Sequence, residues 1–323
     1  MRKLYSFLVG VLGIVVCLWL ISFHLEKQTK SGGNDKLVVY NWGDYIDPEL
    51  LEAFTKETGV QVQYETFDSN ESMYTKIKQG GTTYDIAIPS EYMIAKMMKE
   101  KLVEKLDHSQ IKGMENIGSE FLNQPFDPGN QYSVPYFWGT LGIVYNEKLI
   151  SKAPEHWDDL WKPEYKNSIM LIDGAREVMG IGLNSLGYGL NDKNANHLQE
   201  AVDKLYKLTP NIKAIVADEM KGYMIQNNAA IGVTFSGEAR QMLEKNENLR
   251  YVVPSEASNL WFDNIVIPKT VKNKKAAYQF INFMLRPENA YKNALYVGYA
   301  TPIPKAKALL PKEVQDDEAF YPT

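Results

Sequence analysis

The chain has 323 residues, enough for two domains or one of unusual size. Hydrophobic residues make up 45% and charged residues 23%, the balance of a globular protein, and a net charge of −5 with no Lys/Arg-rich patch excludes a nucleic-acid partner. A single cysteine, Cys17, and four histidines spread along the chain exclude a disulfide framework, a thiolate metal site and a histidine-rich one.

Arg2 and Lys3 precede a run from Tyr5 to Phe23 without a charged residue, closed by His24, Glu26 and Lys27. A stretch of roughly 19 apolar residues is near the length of a membrane span and long for a signal peptide. Residues 1–28 therefore read as an export signal or membrane anchor, with the basic end cytoplasmic and the remainder outside. Cys17 is either a membrane-buried apolar side chain or a lipidation site, although Val16 is bulky for the position before such a cysteine. "TKSGGNDK" makes residues 29–36 a flexible linker.

"KLVVYNW" (36–42) reads as a buried strand and "DPELLEAFTKETG" (47–59) as a helix capped by Asp47, Pro48 and Gly59. "VQVQYETF" (60–67) alternates as a strand, and "NESMYTKIKQG" (70–80) is an amphipathic helix. "YDIAIPS" (84–90) is a third strand, followed by a helix carrying Met93, Met97 and Met98. Strands alternating with helices predict a mostly parallel sheet covered on both faces, with ligands beyond the carboxyl ends of the strands, where Trp42 and Ser90 lie. "YSVPYFWGTLGIVYNEKLI" (132–150) reads as a crossover between lobes, bent at Gly139 and Gly142. "HWDDLWKPEYKNSIMLIDGAREVMG" (156–180) opens a second α/β unit. "AAIGVTFSGEAR" (229–240) is a strand leading into a helix, "NIVIPKT" (264–270) a strand, and "NKKAAYQFINFMLRPENA" (273–290) two helices broken at Pro287. "NLWFDNIVIP" places Asp263 beside Trp261 and Phe262 at the mouth of that strand, a costly position for a lone buried carboxylate.

Together, "YNWGDYI", "FTKETGVQVQYETFDSNESMYTKIK", "YDIAIPSEYM", "PYFWGTLGIVYN", "WDDLWKPEYK", "DGAREV", "NLWFDNIVIP", "INFMLRPENA" and "VGYATP" resemble the spermidine/putrescine-binding family among the substrate-binding proteins of ABC importers. The resemblance runs from about residue 37 to the end. It implies an α/β, two-lobed periplasmic-binding-protein-like fold of type II, each lobe a mixed sheet flanked by helices. The ligand sits in the interlobe cleft. Lobe 1 is expected over 37–142 and 262–308, lobe 2 over 143–261 and 309–323, with the hinge near Gly139–Asn146. The implied function is capture of polyamine for an ABC permease at the extracellular face of the membrane, by a monomer tethered through its N-terminus, with no cofactor or metal and no catalysis.

Polyamines are flexible multiply charged amines, and binding them takes carboxylates at the nitrogens and aromatic faces along the methylenes. Carried over residue by residue, Trp42 and Tyr45 match the aromatic pair after the first strand, and Ser90 and Tyr92 the pair after the third. Glu177 matches an acidic residue of the second lobe, Trp261 and Asp263 the ring and carboxylate that hold one amine, and Tyr299 a further wall. Phe235 stands where the family can carry Trp, losing an N–H donor. Asp173 and Gly174 stand where the family can carry two acids, so one ion pair is lost or Asp173 swings in. The chain ends at "AFYPT" where the family continues, so a shortened second lobe is expected.

Taken singly these residues read more plainly: Trp42 and Trp261 as core, Asp263 as a cap, the tyrosines as half-buried, Glu177 and Arg176 as a surface helix pair. Trp138, Trp157 and Trp161 are assigned to packing. Two other functions compete. A carboxylate hydrolase would use Asp263 and Glu177, but no nucleophile motif accompanies them. The same fold holding ferric ion or an amino acid would need clustered Tyr and His, or an Arg; the named positions contain neither Arg nor Lys.

Overall fold

The computed structural model describes residues 36–217 and 219–322. The expected anchor, Cys17 and all but the last residue of the linker lie outside the described residues.

The first half begins with β1 (Lys36–Trp42), α1 (Pro48–Thr58), β2 (Gln61–Phe67), α2 (Asn70–Gln79), β3 (Ile86–Ala87) and α3 (Glu91–Lys99). Asp47 caps α1 by accepting the Glu49 N–H at 2.9 Å, and Gly59 ends it at φ +75°, a left-handed position that suits a residue without Cβ. β1 is buried on both faces. Leu37 and Val39 face one core with Phe54 of α1, and Tyr40 faces another with Met73 and Met97. This is why the strand reads as a near-continuous apolar run.

β4 (Ser133–Asn146) carries the chain across into β5 (Ile169–Ile172), α4 (Ala175–Asn184), α5 (Ala195–Leu208), β6 (Ile212–Val216), α6 (Glu219–Ile225), β7 (Ile231–Phe235), α7 (Ser236–Leu243) and β8 (Leu249–Val252). β9 (Leu260–Val266) returns, followed by α8 (Lys274–Met284), α9 (Pro287–Val297), α10 (Pro304–Lys307) and α11 (Lys312–Gln315). The strand order is β2-β1-β3-β9-β4-β7-β5-β6, with β8 also on β4. β1 pairs in parallel with β2 and β3, and β5 with β6 and β7, but every pairing of β4 and β9 is antiparallel. The mostly parallel sheet expected from strand–helix alternation is therefore mixed, because the two crossing strands run against their neighbours.

β4 changes partners midway. Ser133 to Thr140 pair with β9, and Leu141 to Asn146 with β7 and β8. Each half has its own buried clusters, around Phe280 and Met93 in one and Trp157 and Met242 in the other. The strand runs unbroken through Gly139 and Gly142, so these glycines supply room, not a bend. A Cβ at Gly139 would stand 2.6 Å from Cζ2 of Trp261 and 2.7 Å from Oγ of Ser236. After α10 the tail lies across both halves. Leu310, Phe320 and Tyr321 bury in the first cluster, while Phe320 stacks on Tyr251 with ring centres 5.9 Å apart.

Candidate functional site

The topology puts the candidate residues together. β9 runs antiparallel to β3, so its first residues meet the carboxyl end of β3, and Ser90 bridges Asp263. Strand alternation then turns Trp261 and Asp263 to one face and Phe262 to the other. Phe262 packs toward Phe121 and takes no place beside Asp263. The expectation that this trio lies at the mouth of a strand is corrected: the strand begins at Leu260, and Asp263 sits inside it, because β4 offers a continuous ladder from Thr140 to Ser133.

Asp263 is 5% exposed. Tyr45 Oη donates to Oδ2 at 2.7 Å and Ser90 Oγ donates to Oδ1 at 2.6 Å. Two other buried carboxylates are better served. Asp85 accepts three backbone N–H groups, and Asp127 accepts three together with the Ser133 hydroxyl. A carboxylate offers about four lone-pair positions, so Asp263 keeps capacity for a further donor. Burial pushes its pKa up to about 7; the hydrogen bonds from Ser90 and Tyr45 oppose this, and the charges of Glu91 and Glu177 reinforce it.

The supporting residues break local rules in a consistent way. Ser90 is the N-cap of α3 yet makes no capping bond with its side chain; its hydroxyl serves Asp263 instead. Asn70, at the start of α2, accepts the Ser90 N–H at 3.1 Å and donates to its Oγ at 3.0 Å, fixing the hydroxyl's direction. Tyr45 is 5% exposed, and its hydroxyl is spent on Asp263, so it orients the carboxylate more than it walls the cleft. Burial and the neighbouring Asp263 charge raise its pKa well above that of a free phenol.

The rings form a connected wall. Trp261 meets Tyr299 edge-on at 5.1 Å and Phe235 at 5.7 Å, and Tyr299 meets Tyr45 at 5.3 Å. Trp261 Nε1 is buried and has no hydrogen-bond partner. Trp42 is half-buried, donates Nε1–H to the Ile88 carbonyl at 3.0 Å and packs on Phe67 at 4.6 Å, so its indole donor is already used.

α4 presents the opposite side. Burial raises the Glu177 pKa, and Glu91 and Glu71 raise it further. A Cβ at Gly174 would collide with the Glu177 carboxylate, so the glycine in "DGAREV" leaves that carboxylate its place. Asp173 is exposed and has no hydrogen bond or ion pair to the cluster. Tyr92 donates its hydroxyl to Glu71 at 3.2 Å.

Four residues of this region escaped sequence reasoning: Asn70, Glu71, Glu91 and Arg176. Glu91 accepts the Phe262 N–H at 3.3 Å, and burial raises its pKa. Arg176 lies 3.9 Å from Glu91 across the cleft, with its guanidinium 5.2 Å from the Tyr92 ring centre. The named positions contain no Arg, but the structure sets this one beside them. The available signal was adjacency, since Glu91 sits inside "PSEY" and Arg176 inside "DGAREV". Among the described residues no cluster of three His, Cys, Asp or Glu side chains could hold a metal ion.

Two half-sheets joined by crossing strands, with carboxylates and rings gathered where they meet, define a two-lobed solute-binding protein. The chain belongs to the bacterial extracellular solute-binding protein family, whose model matches residues 49–323. It is 43% identical over 294 residues to the spermidine/putrescine-binding periplasmic protein of Salmonella typhimurium, covering 90% of this chain and 84% of that one. The spermidine/putrescine ABC transporter substrate-binding protein PotD of Streptococcus pneumoniae is 78% identical and superposes with a TM-score of 0.80 over 89% of each chain. A Listeria monocytogenes structure is 60% identical, with a TM-score of 0.86 over 90% of each chain.

Proposed function

We propose that this protein captures a polyamine, spermidine or putrescine, between its lobes outside the cell and delivers it to an ABC permease. The observation that carries the reading is Asp263. It is a buried carboxylate held by two donors, with lone pairs left over, beneath a wall of Trp261, Tyr299 and Phe235. An ammonium group there would relieve the desolvated charge while the rings cover the methylenes. Glu177, on the second lobe, is near enough for its charge to raise the Asp263 pKa, and it would take a second nitrogen of a flexible chain. Trp42 and Tyr92 extend the wall, and Tyr45 and Ser90 hold the carboxylate. Asp173, being exposed, enters only if the loop before α4 moves. A likeness at 78% identity to a spermidine/putrescine substrate-binding protein supports the same ligand class.

The lobes, 37–142 with 262–308 and 143–261, move about the partner change in β4 near Thr140–Leu141; the tail expected with the second lobe packs on both through Leu310, Phe320 and Tyr321. Ligand contacts both lobes only when they close, so binding free energy favours closure. Residues 1–28 tether the monomer to the membrane. Isothermal calorimetry with spermidine and putrescine tests the reading. Heat with at least one amine supports it, and silence with both overturns it.

A further inference from the structure

One cation already stands in the cleft. Arg176 projects from the first turn of α4 to the first turn of α3 in the other half of the molecule. Its guanidinium lies 5.2 Å from the Tyr92 ring centre and 3.9 Å from Glu91 Oε1, and the Arg176 and Glu91 side chains are 29% and 17% exposed. A carboxylate beside an aromatic face is the chemistry that recognises an ammonium group. The contact is loose. At 3.9 Å the pair attracts by charge without a hydrogen bond. Nη2 donates to Asn191 at 3.0 Å from its own half, and Nε is buried with no partner. Arg176 is therefore aimed by Asn191 and held at Glu91 by charge alone. Glu177 also feels its charge, and Glu71 lies beyond Tyr92.

We propose that Arg176 is a specificity-determining residue: a resident cation that occupies Glu91 and the Tyr92 face, limiting how many ammonium groups the cleft accepts. This inference rests on the polyamine reading. Asp263 and Glu177 serve two nitrogens. A third must reach Glu91, and to do so it must displace the guanidinium. The ratio of spermidine to putrescine affinity then depends on Arg176, while the affinity for the diamine depends on it far less.

Calorimetric titration of both amines into the parent protein, Arg176→Gln, Arg176→Lys and the Arg176→Gln/Glu91→Gln pair tests this. Arg176→Gln is expected to raise the spermidine-to-putrescine affinity ratio roughly tenfold, the scale of one well-formed ionic contact. Arg176→Lys keeps a cation in place and should hold the parent ratio to within about twofold. The double variant should lose the gain, because no carboxylate remains for the third nitrogen. An unchanged or lowered ratio in Arg176→Gln, or a gain that survives in the double variant, overturns the proposal with the polyamine reading intact. A parent protein that binds neither amine overturns both. Arg176→Lys also guards against misfolding, since a ratio in that variant matching Arg176→Gln would refute the role of charge.

Discussion

Replacing Asp263 by Asn should make the unliganded protein more stable and its ligand binding weaker. The carboxylate is 5% exposed, and its pKa rises from the ordinary 3.8 to about 7. A shift of about 3 units corresponds to about 4 kcal/mol of disfavour for the ionised form, as an upper bound. The sign follows from linkage. With the folded pKa raised, the stabilisation belongs to the protonated group; it is complete below about pH 4 and lost as pH rises through about 7. Asn is neutral at every pH and close in shape, and the hydroxyls of Tyr45 and Ser90 can rotate to meet its amide. Thermal unfolding of both proteins from pH 4 to pH 8 is the assay. The variant's melting temperature should match the parent's near pH 4 and exceed it by several degrees above pH 7, at roughly 1.5 °C per kcal/mol for a chain of this size. Added spermidine should raise the parent's melting temperature, since a ligand at 100 times its dissociation constant contributes about 2.7 kcal/mol. The variant's should barely move, its affinity being at least roughly tenfold lower. A variant less stable than the parent at pH 8, or one that binds spermidine equally well, would refute the reasoning.

Ser90→Ala removes one of the two donors to Asp263, so burial acts less opposed; the pH at which polyamine affinity falls by half should move upward in calorimetry across pH 5.5–8.5. Affinity of the parent itself should decline as pH drops below about 7, because Asp263 must then release a proton to bind a cation. Trp261→Phe deletes an indole N–H that has no partner but also leaves a cavity beside Gly139, so the melting temperature should fall modestly while affinity drops about fivefold from lost ring area, read by calorimetry. Gly139→Ala places a methyl 2.6 Å from Trp261 Cζ2, a clash worth about 1–3 kcal/mol of stability, detectable in denaturant unfolding together with weaker binding.

Much of the fold was legible locally. Asp47, Pro48 and Gly59 bound α1 as the capping pattern says, because caps satisfy orphan backbone groups within a few residues. The helices broken at Pro287 end and restart there, since that ring has no N–H to donate. α5, β6, α6 and β8, all on the second half, have no counterpart in the sequence reading; β6 shows alternating partial exposure in place of an apolar run, whereas α5 carries a clear amphipathic pattern and an Asn194 cap that were there to be read. The extent of β9 was misjudged for a related reason. Trp261 and Asp263 look like loop residues until β4 supplies the ladder that makes them strand.

The sequence by itself determined the helix ends, the apolar strands, the residue types of the cleft and, through linked motifs, the family to which they belong. It could not determine which carboxylate is desolvated or what shares its surroundings. Tyr45 and Ser90 reach Asp263 across 218 and 173 positions, and Glu91 meets Arg176 only because the crossing strands bring α3 and α4 face to face. Burial and electrostatic coupling depend on distance through space. For groups this far apart along the chain, that distance is fixed only when the sheet assembles.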